Sequence, residues 1–241
     1  MAGVDLTGKI AIVTGGYSGI GLATVRDLHK AGATVILPAR NVSATREIFK
    51  DCSSGLEISF MDLLAPDSID DFAGRFVASG RPLHLLINNA GIMASPLARD
   101  KRGFESQFAT NHLGHFQLTI RLWEALKRAN AARVINLSSL GHRYSDINYD
   151  DPNFETTLNS NPGVNMKSIE QGAATTLFCA TSSLLKNIGG VHCEDSNIAV
   201  VVDASADRAA MNKGVLPYAV DQDNAARLWD LSRKLTGLTL E

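Results

Sequence analysis

The sequence is short of the features that mark secreted, membrane-spanning or nucleic-acid-binding chains. It has only three cysteines, Cys52, Cys179 and Cys193, in 241 residues. Their spacing fits neither a disulfide framework nor a metal site, so reduced thiols and no metal are expected. No apolar run approaches the roughly 20 residues that cross a bilayer. Charge of one sign is missing too: the net charge is −2. That gives no footprint for a nucleic acid or an anionic membrane. The segment Met1–Gly16 has no basic stretch followed by an apolar core, so no signal peptide is expected and the cytoplasm is the expected compartment. Disorder is excluded by a 45% apolar, 20% charged composition.

What is present is an alternation of short apolar runs with helix-length segments. Strands are expected at Lys9–Thr14, Thr34–Leu37, Leu56–Phe60, Leu83–Ile87 and Arg133–Leu137. Helices are expected between them, over Gly19–Ala31, Ala44–Lys50, Asp67–Ala78 with Asp67 as cap, and Gly103–Arg128. This order predicts an α/β protein: a single Rossmann-type, doubly wound parallel sheet with helices on both faces. Residues 1–145 form its cofactor-binding half, 146–166 an irregular junction, and 167–241 the C-terminal helices and last strand. That last part holds a helix from Ser168 to about Lys186, a short strand Gly190–Cys193 and a final helix Gln222–Leu235.

Thr14-Gly15-Gly16-Tyr17-Ser18-Gly19-Ile20-Gly21 stands between a strand and a helix. Glycines there allow a tight turn and close approach to a pyrophosphate, and the helix start offers free N–H groups. The spacing TGxxxGIG resembles that of the short-chain dehydrogenase/reductase family. Further motifs follow in order: Asp62 after the third strand, Asn88-Asn89-Ala90-Gly91 after the fourth, Asn111 in the long helix, and Ser138-Ser139 after the fifth. Glu170–Ala174 and Gly189–Asp195 resemble the C-terminal part of larger, retinol-dehydrogenase-like members. The resemblance implies a cofactor site made by Gly15, Ser18, Gly19, Ile20, Gly21, Arg40, Asp62, Asn89, Ala90 and Gly91. It implies catalytic roles for Ser139, on the substrate oxygen, and Asn111, as organiser.

The residue after the second strand selects the cofactor. A carboxylate there would bind the ribose hydroxyl of NAD(H). Pro38-Ala39-Arg40 offers a guanidinium instead, which suits the 2′-phosphate of NADP(H).

One element of the family pattern is missing. The family uses a tyrosine for proton transfer and a lysine four residues later to lower its pKa, both on one helix face. Here the residues four after Tyr17, Tyr144, Tyr149 and Tyr218 are Gly21, Asn148, Asn153 and Gln222. The pair, its helix and the sixth strand should lie between about Phe154 and Met166. Asn161-Pro162-Gly163 matches a turn that follows that strand in the family. Either the protein is short, or its translated sequence omits a coding segment, or a helix elsewhere refills the gap. Two functions follow. One is an NADP(H)-dependent oxidoreductase acting on a small carbonyl or alcohol, with Tyr144, Tyr149 or His142 near Ser139 as substitute acids. The other is an inactive dinucleotide-binding protein or partner subunit of an active dehydrogenase, in a homo- or hetero-oligomer.

Overall fold

A computed structural model describes residues 3–52, 54–143, 146–155, 168–203 and 213–240. Five parallel strands form the main sheet: β1 (Ile10–Val13), β2 (Thr34–Ala39), β3 (Leu56–Phe60), β4 (Leu85–Asn88) and β5 (Arg133–Asn136). Their order is β3-β2-β1-β4-β5. The chain therefore reverses direction of winding between β1 and β4, and the carboxyl ends of those two strands flank the ligand crevice of such sheets.

The alternation of side chains along each strand divides the core. Ala11 and Val13 of β1 point to one face with Val35, Leu37 and Ile87. There they meet Val25 and Leu28 of α1 (Gly19–Lys30) and Leu177 and Ala180 of α7 (Ile169–Thr181). Ile12, Ile36 and Leu86 point to the other face. They meet Ile69, Phe72 and Phe76 of α3 (Pro66–Ala78) and Leu118 of α5 (Gly114–Arg121). Both faces of the strands are thus apolar, as a sheet covered on both sides requires. Each such Leu or Ile contributes about 1.5–3 kcal/mol by leaving water. The remaining early helix, α2 (Val42–Ile48), starts at Asn41, whose side chain accepts the Ala44 N–H. The helix predicted from Asp67 begins one residue earlier, at Pro66, with Ala65 as its cap residue and Asp67 in its first turn.

The helix expected over Gly103–Arg128 is in fact several pieces. Its start is set by Glu105, which is buried and accepts the N–H groups of Gln107 and Phe108 at 2.9 and 2.8 Å. One turn follows, α4 (Ser106–Phe108), then a π-helical turn Ala109–Leu113, α5, and α6 (Trp123–Arg128) after a break at Leu122. π-Turns recur at functional sites because they redirect a side chain without ending the helix. The side chain redirected here is that of Asn111.

Two C-terminal expectations are corrected. The helix beginning at the capping box of Ser168 and Gln171 ends at Thr181, not Lys186, because Ser182 turns extended and starts a 3-10 turn. The strand expected at Gly190–Cys193 is a small antiparallel hairpin, β6 (Cys193–Glu194) with β7 (Asn197–Ile198), separate from the main sheet. Positive φ at Asp195 and Ser196 turns the chain back there, before it can join the parallel strands.

Beyond β5 the main sheet carries no further strand among the described residues. α8 (Gln222–Thr236) packs against α5 and the turn before it. Trp229 sets its ring edge-on against Phe116, 5.0 Å between centroids, and Ser232 hydrogen-bonds His112 at 2.7 Å. The contact is partial: Trp229 remains 38% exposed. Residues 156–167, where the missing strand and helix and the Pro162-Gly163 turn were sought, lie outside the described residues.

Candidate cofactor site and the neighbouring cleft

The turn from β1 into α1 is built around Thr14. Its side chain is buried and its Oγ1 accepts the backbone N–H groups of Asn89 and Ala90, both at 2.9 Å. Asn89 returns the contact, its Nδ2 donating to the carbonyls of Thr14 and Gly15. The loops after β1 and β4 are therefore one hydrogen-bonded unit across the crevice.

Two glycines permit this unit. Gly15 has φ +63°, and a Cβ there would lie 2.9 Å from the Ala90 Cα. A Cβ on Gly21 would lie 2.5 Å from Asn89 Nδ2. Ser18 precedes α1 with an extended backbone and makes no side-chain cap, so the helix start keeps free N–H groups. Gly19 faces open space. A close backbone approach, an uncapped positive helix end and open room beside it are what a pyrophosphate needs. The residues present fit a dinucleotide.

Around this cradle, Arg40 directly follows β2 and is exposed. It makes no hydrogen bond or ion pair among the described residues. Asp62 stands after the neighbouring strand β3, with one carboxylate oxygen accepting the Leu64 N–H at 3.0 Å. Ala90 and Gly91 extend from β4, and Asn88 is tied sideways to Asn136 at 2.7 Å. Ile20 lies in the first turn of α1.

Asn111 and Ser139 are both exposed at this end of the sheet. The Asn111 amide clamps one residue, accepting the Ile92 N–H at 2.9 Å and donating to the Ile92 carbonyl at 2.8 Å. Ser139 Oγ accepts the Gly141 N–H at 3.1 Å.

The sequence reading missed His115, one helical turn beyond Asn111. Its Nδ1 sits 2.9 Å from the Asn111 carbonyl, and its Nε2 2.8 Å from Thr14 Oγ1. A carbonyl only accepts, so Nδ1 carries the proton and Nε2 accepts the Thr14 hydroxyl. Burial lowers the His115 pKa, in keeping with this neutral form. The signal was available: His115 lies four residues after Asn111, among apolar residues of the helix face turned inward.

The substitute acids fare differently. Tyr144 lies outside the described residues. The Tyr149 hydroxyl donates to the Asn224 carbonyl at 3.0 Å, and its pKa is raised, first by burial and then by Asp146. Arg227 stacks on its ring and works the other way. Tyr218 donates to the His142 carbonyl. His142 Nδ1 lies 2.7 Å from the Ser139 carbonyl, and its buried Nε2 has no partner among the described residues. These groups surround a cleft of about 480 Å³ between the loop after β5 and α8, lined also by Ser138 and Leu228.

A sequence model of the short chain dehydrogenases matches residues 9–149. The chain belongs to the short-chain dehydrogenase family. Mouse retinol dehydrogenase 11 is 33% identical, with 99% of this chain and 89% of the relative covered. An oxidoreductase of Streptomyces antibioticus is 31% identical, with 94% and 97% covered. A crystal structure of an uncharacterised protein from Mycobacterium paratuberculosis superposes with a TM-score of 0.66 at 28% identity, covering 99% of this chain and 97% of the other. These relationships establish an oxidoreductase family with a Rossmann-type, NAD(P)-binding fold that acts on small molecules.

The alignment with retinol dehydrogenase 11 runs to 296 positions against 241 residues here, so at least 55 of its positions face no residue of this chain. The absent tyrosine-lysine pair accords with a loss of that size. The cytoplasmic expectation is overturned. Family relatives include a chloroplastic short-chain dehydrogenase of Brassica napus, 32% identical over 96% of this chain, so the lack of a signal-like N-terminus does not fix the compartment. No helix among the described residues is long and apolar enough to cross a membrane.

Proposed function

We propose that this chain binds NADP(H) and does not perform the family's tyrosine-driven reduction, acting alone or as a partner subunit of an active dehydrogenase. The observation that carries this reading is a division within the site. The cradle around Thr14, Gly15 and Asn89 is fully bonded, whereas the described tyrosines near Ser139 spend their hydroxyls on backbone carbonyls. Gly15, Ser18, Gly19, Ile20 and Gly21 would hold the pyrophosphate, Asp62 the adenine, Asn89 to Gly91 the ribose side, and Arg40 the 2′-phosphate. Bound there, the dinucleotide supplies or accepts a hydride. The chain's own task would be the matching proton at the substrate oxygen. Ser139 can donate a hydrogen bond to that oxygen, but a serine hydroxyl is too weak an acid to deliver its proton.

Fluorescence titration with NADPH, followed by turnover assays on a panel of aldehydes and ketones, tests the reading. Binding without turnover is expected. Arg40→Ala should weaken NADPH by about 10- to 100-fold, the worth of a charge-assisted phosphate contact, and leave NADH unchanged. Equal loss for both cofactors would remove the case for NADP(H).

A second reading, an oxidoreductase of a small carbonyl or alcohol, draws support from the cleft beside Ser138 and from the Nε2 of His142, which has no partner among the described residues. Turnover that survives Tyr149→Phe and is abolished by His142→Gln would favour it over the first.

A further inference from the structure

By sequence spacing the three cysteines are unrelated. The fold brings two of them together. Cys179 lies in the last turn of α7, and Cys193 opens β6. Their side chains are neighbours where β6 lies against α7, and both residues are half-buried. The surrounding contacts fix this juxtaposition from both sides. Thr175, one turn before Cys179, accepts the Ser196 N–H at 3.1 Å, which holds the tip of the hairpin on α7. Arg133 of β5 donates to the carbonyls of Cys179 and Ser182, each at 2.8 Å, which anchors the end of α7 on the sheet edge. Cys52 follows α2, is half-buried, and makes no such pair.

We propose that Cys179 and Cys193 are a redox-responsive pair that closes to an intramolecular disulfide, clasping the end of α7 to the β6–β7 hairpin. A disulfide needs the two sulfurs brought to bonding distance, and a hairpin of two-residue strands can move to supply it. Burial first, and the neighbouring Cys193 second, push the Cys179 thiol up to about 12. In this scheme Cys193 meets the oxidant first and Cys179 resolves it. With hydrogen peroxide, the Cys193 thiolate attacks one peroxide oxygen, forming a sulfenic acid and releasing hydroxide, which is protonated to water. Cys179 sulfur next displaces the sulfenic oxygen, its own proton leaving with that oxygen as a second water. Two thiols and one peroxide give one disulfide and two waters, and a dithiol reductant reverses the result.

The clasp acts on a helix that borders the candidate cofactor site. α7 packs along α1, the helix whose start makes the candidate pyrophosphate site. The proposal concerns the thiols alone and holds whether or not a dinucleotide binds.

The test uses the full chain. The protein is exposed to a stoichiometric excess of hydrogen peroxide, its remaining thiols are counted, and it is digested without reduction for peptide mapping. Accessible thiols under denaturing conditions should fall from three to one, with a peptide containing Cys179 linked to one containing Cys193 and Cys52 still free. A dithiol reductant should restore all three. Cys179→Ser should accumulate a sulfenic acid on Cys193 that dimedone captures. Should that variant fail to fold, the map of the unaltered chain still decides. Three persistent thiols, a link through Cys52, links only between chains, or over-oxidation of Cys193 without a link would each overturn the proposal.

Discussion

Thr14→Val removes one oxygen from the centre of the cofactor cradle and keeps nearly the same volume. The oxygen has four partners: the amides of Asn89 and Ala90, which donate to it, and His115 and the Ile87 carbonyl, which accept from it. Valine leaves the Ala90 N–H and one imidazole nitrogen without these bonds, while the Asn89 N–H keeps the Ile87 carbonyl at 3.1 Å. A buried group so orphaned costs about 1–3 kcal/mol. The Ala90 amide is only half-buried and recovers some bonding to water, so the sum falls near the low end, about 2–4 kcal/mol. Asn89 keeps its bond to the Thr14 backbone carbonyl, so the loop loosens rather than detaches. Urea unfolding followed by the fluorescence of Trp123 and Trp229 reads the change as a lower midpoint at constant slope. Thr14→Ser keeps the hydroxyl and loses one methyl, so it should lose only about 1 kcal/mol. If valine and serine variants unfolded at the same urea concentration, the hydroxyl would not be the joint between the two loops, and the account of the cradle would fail.

Three further outcomes are expected. His112 is pushed down to about 4, by burial first and the charge of His115 second. Below pH 6.5 the unfolded chain gains a proton that folded His112 refuses, so stability should fall between about pH 6.5 and 4, by on the order of 3 kcal/mol from this residue. His112→Gln keeps a donor toward Ser232 and should flatten that acid limb in equilibrium unfolding; an unchanged limb would assign it elsewhere. Gly15→Ala should cost NADPH binding at least about 10-fold, since a side chain at φ +63° also meets Ala90, and calorimetric titration checks it. Trp229→Ala should cost about 1–2 kcal/mol, below the value for a fully buried tryptophan, because the ring is only partly covered. A loss of 4 kcal/mol or more by thermal unfolding would show that α8 bears more of the fold than its contacts indicate.

What could be read from the sequence was what local chemistry encodes. The strand Lys9–Thr14 is apolar on both faces, and TGxxxGIG follows it where only glycines allow the chain to pass Ala90 and Asn89 closely; both features are written within a dozen residues. The five strands and their parallel order followed from the same alternation. The pieces that escaped depend on partners far away in sequence. The helix over Gly103–Arg128 has continuous helical rhythm, and its π-turn holds Asn111, whose amide bonds to Ile92 in a contact that no periodicity records. The pairing of Cys179 with Cys193 depends on how a hairpin lies across a helix end.

Gln222–Leu235 reads as a helix in the sequence, and in the structure α8 sets Ser232 against His112 and Trp229 against Phe116. The cradle and the proton-transfer pair are therefore separable parts of this fold. The first is bonded within the ends of β1 and β4 and needs nothing beyond β5. The second belongs, in the family, to an element past β5, and the sequence here carries no such tyrosine-lysine pair. Retention of a cofactor site thus places no demand on retention of the reaction, and binding and turnover have to be measured apart.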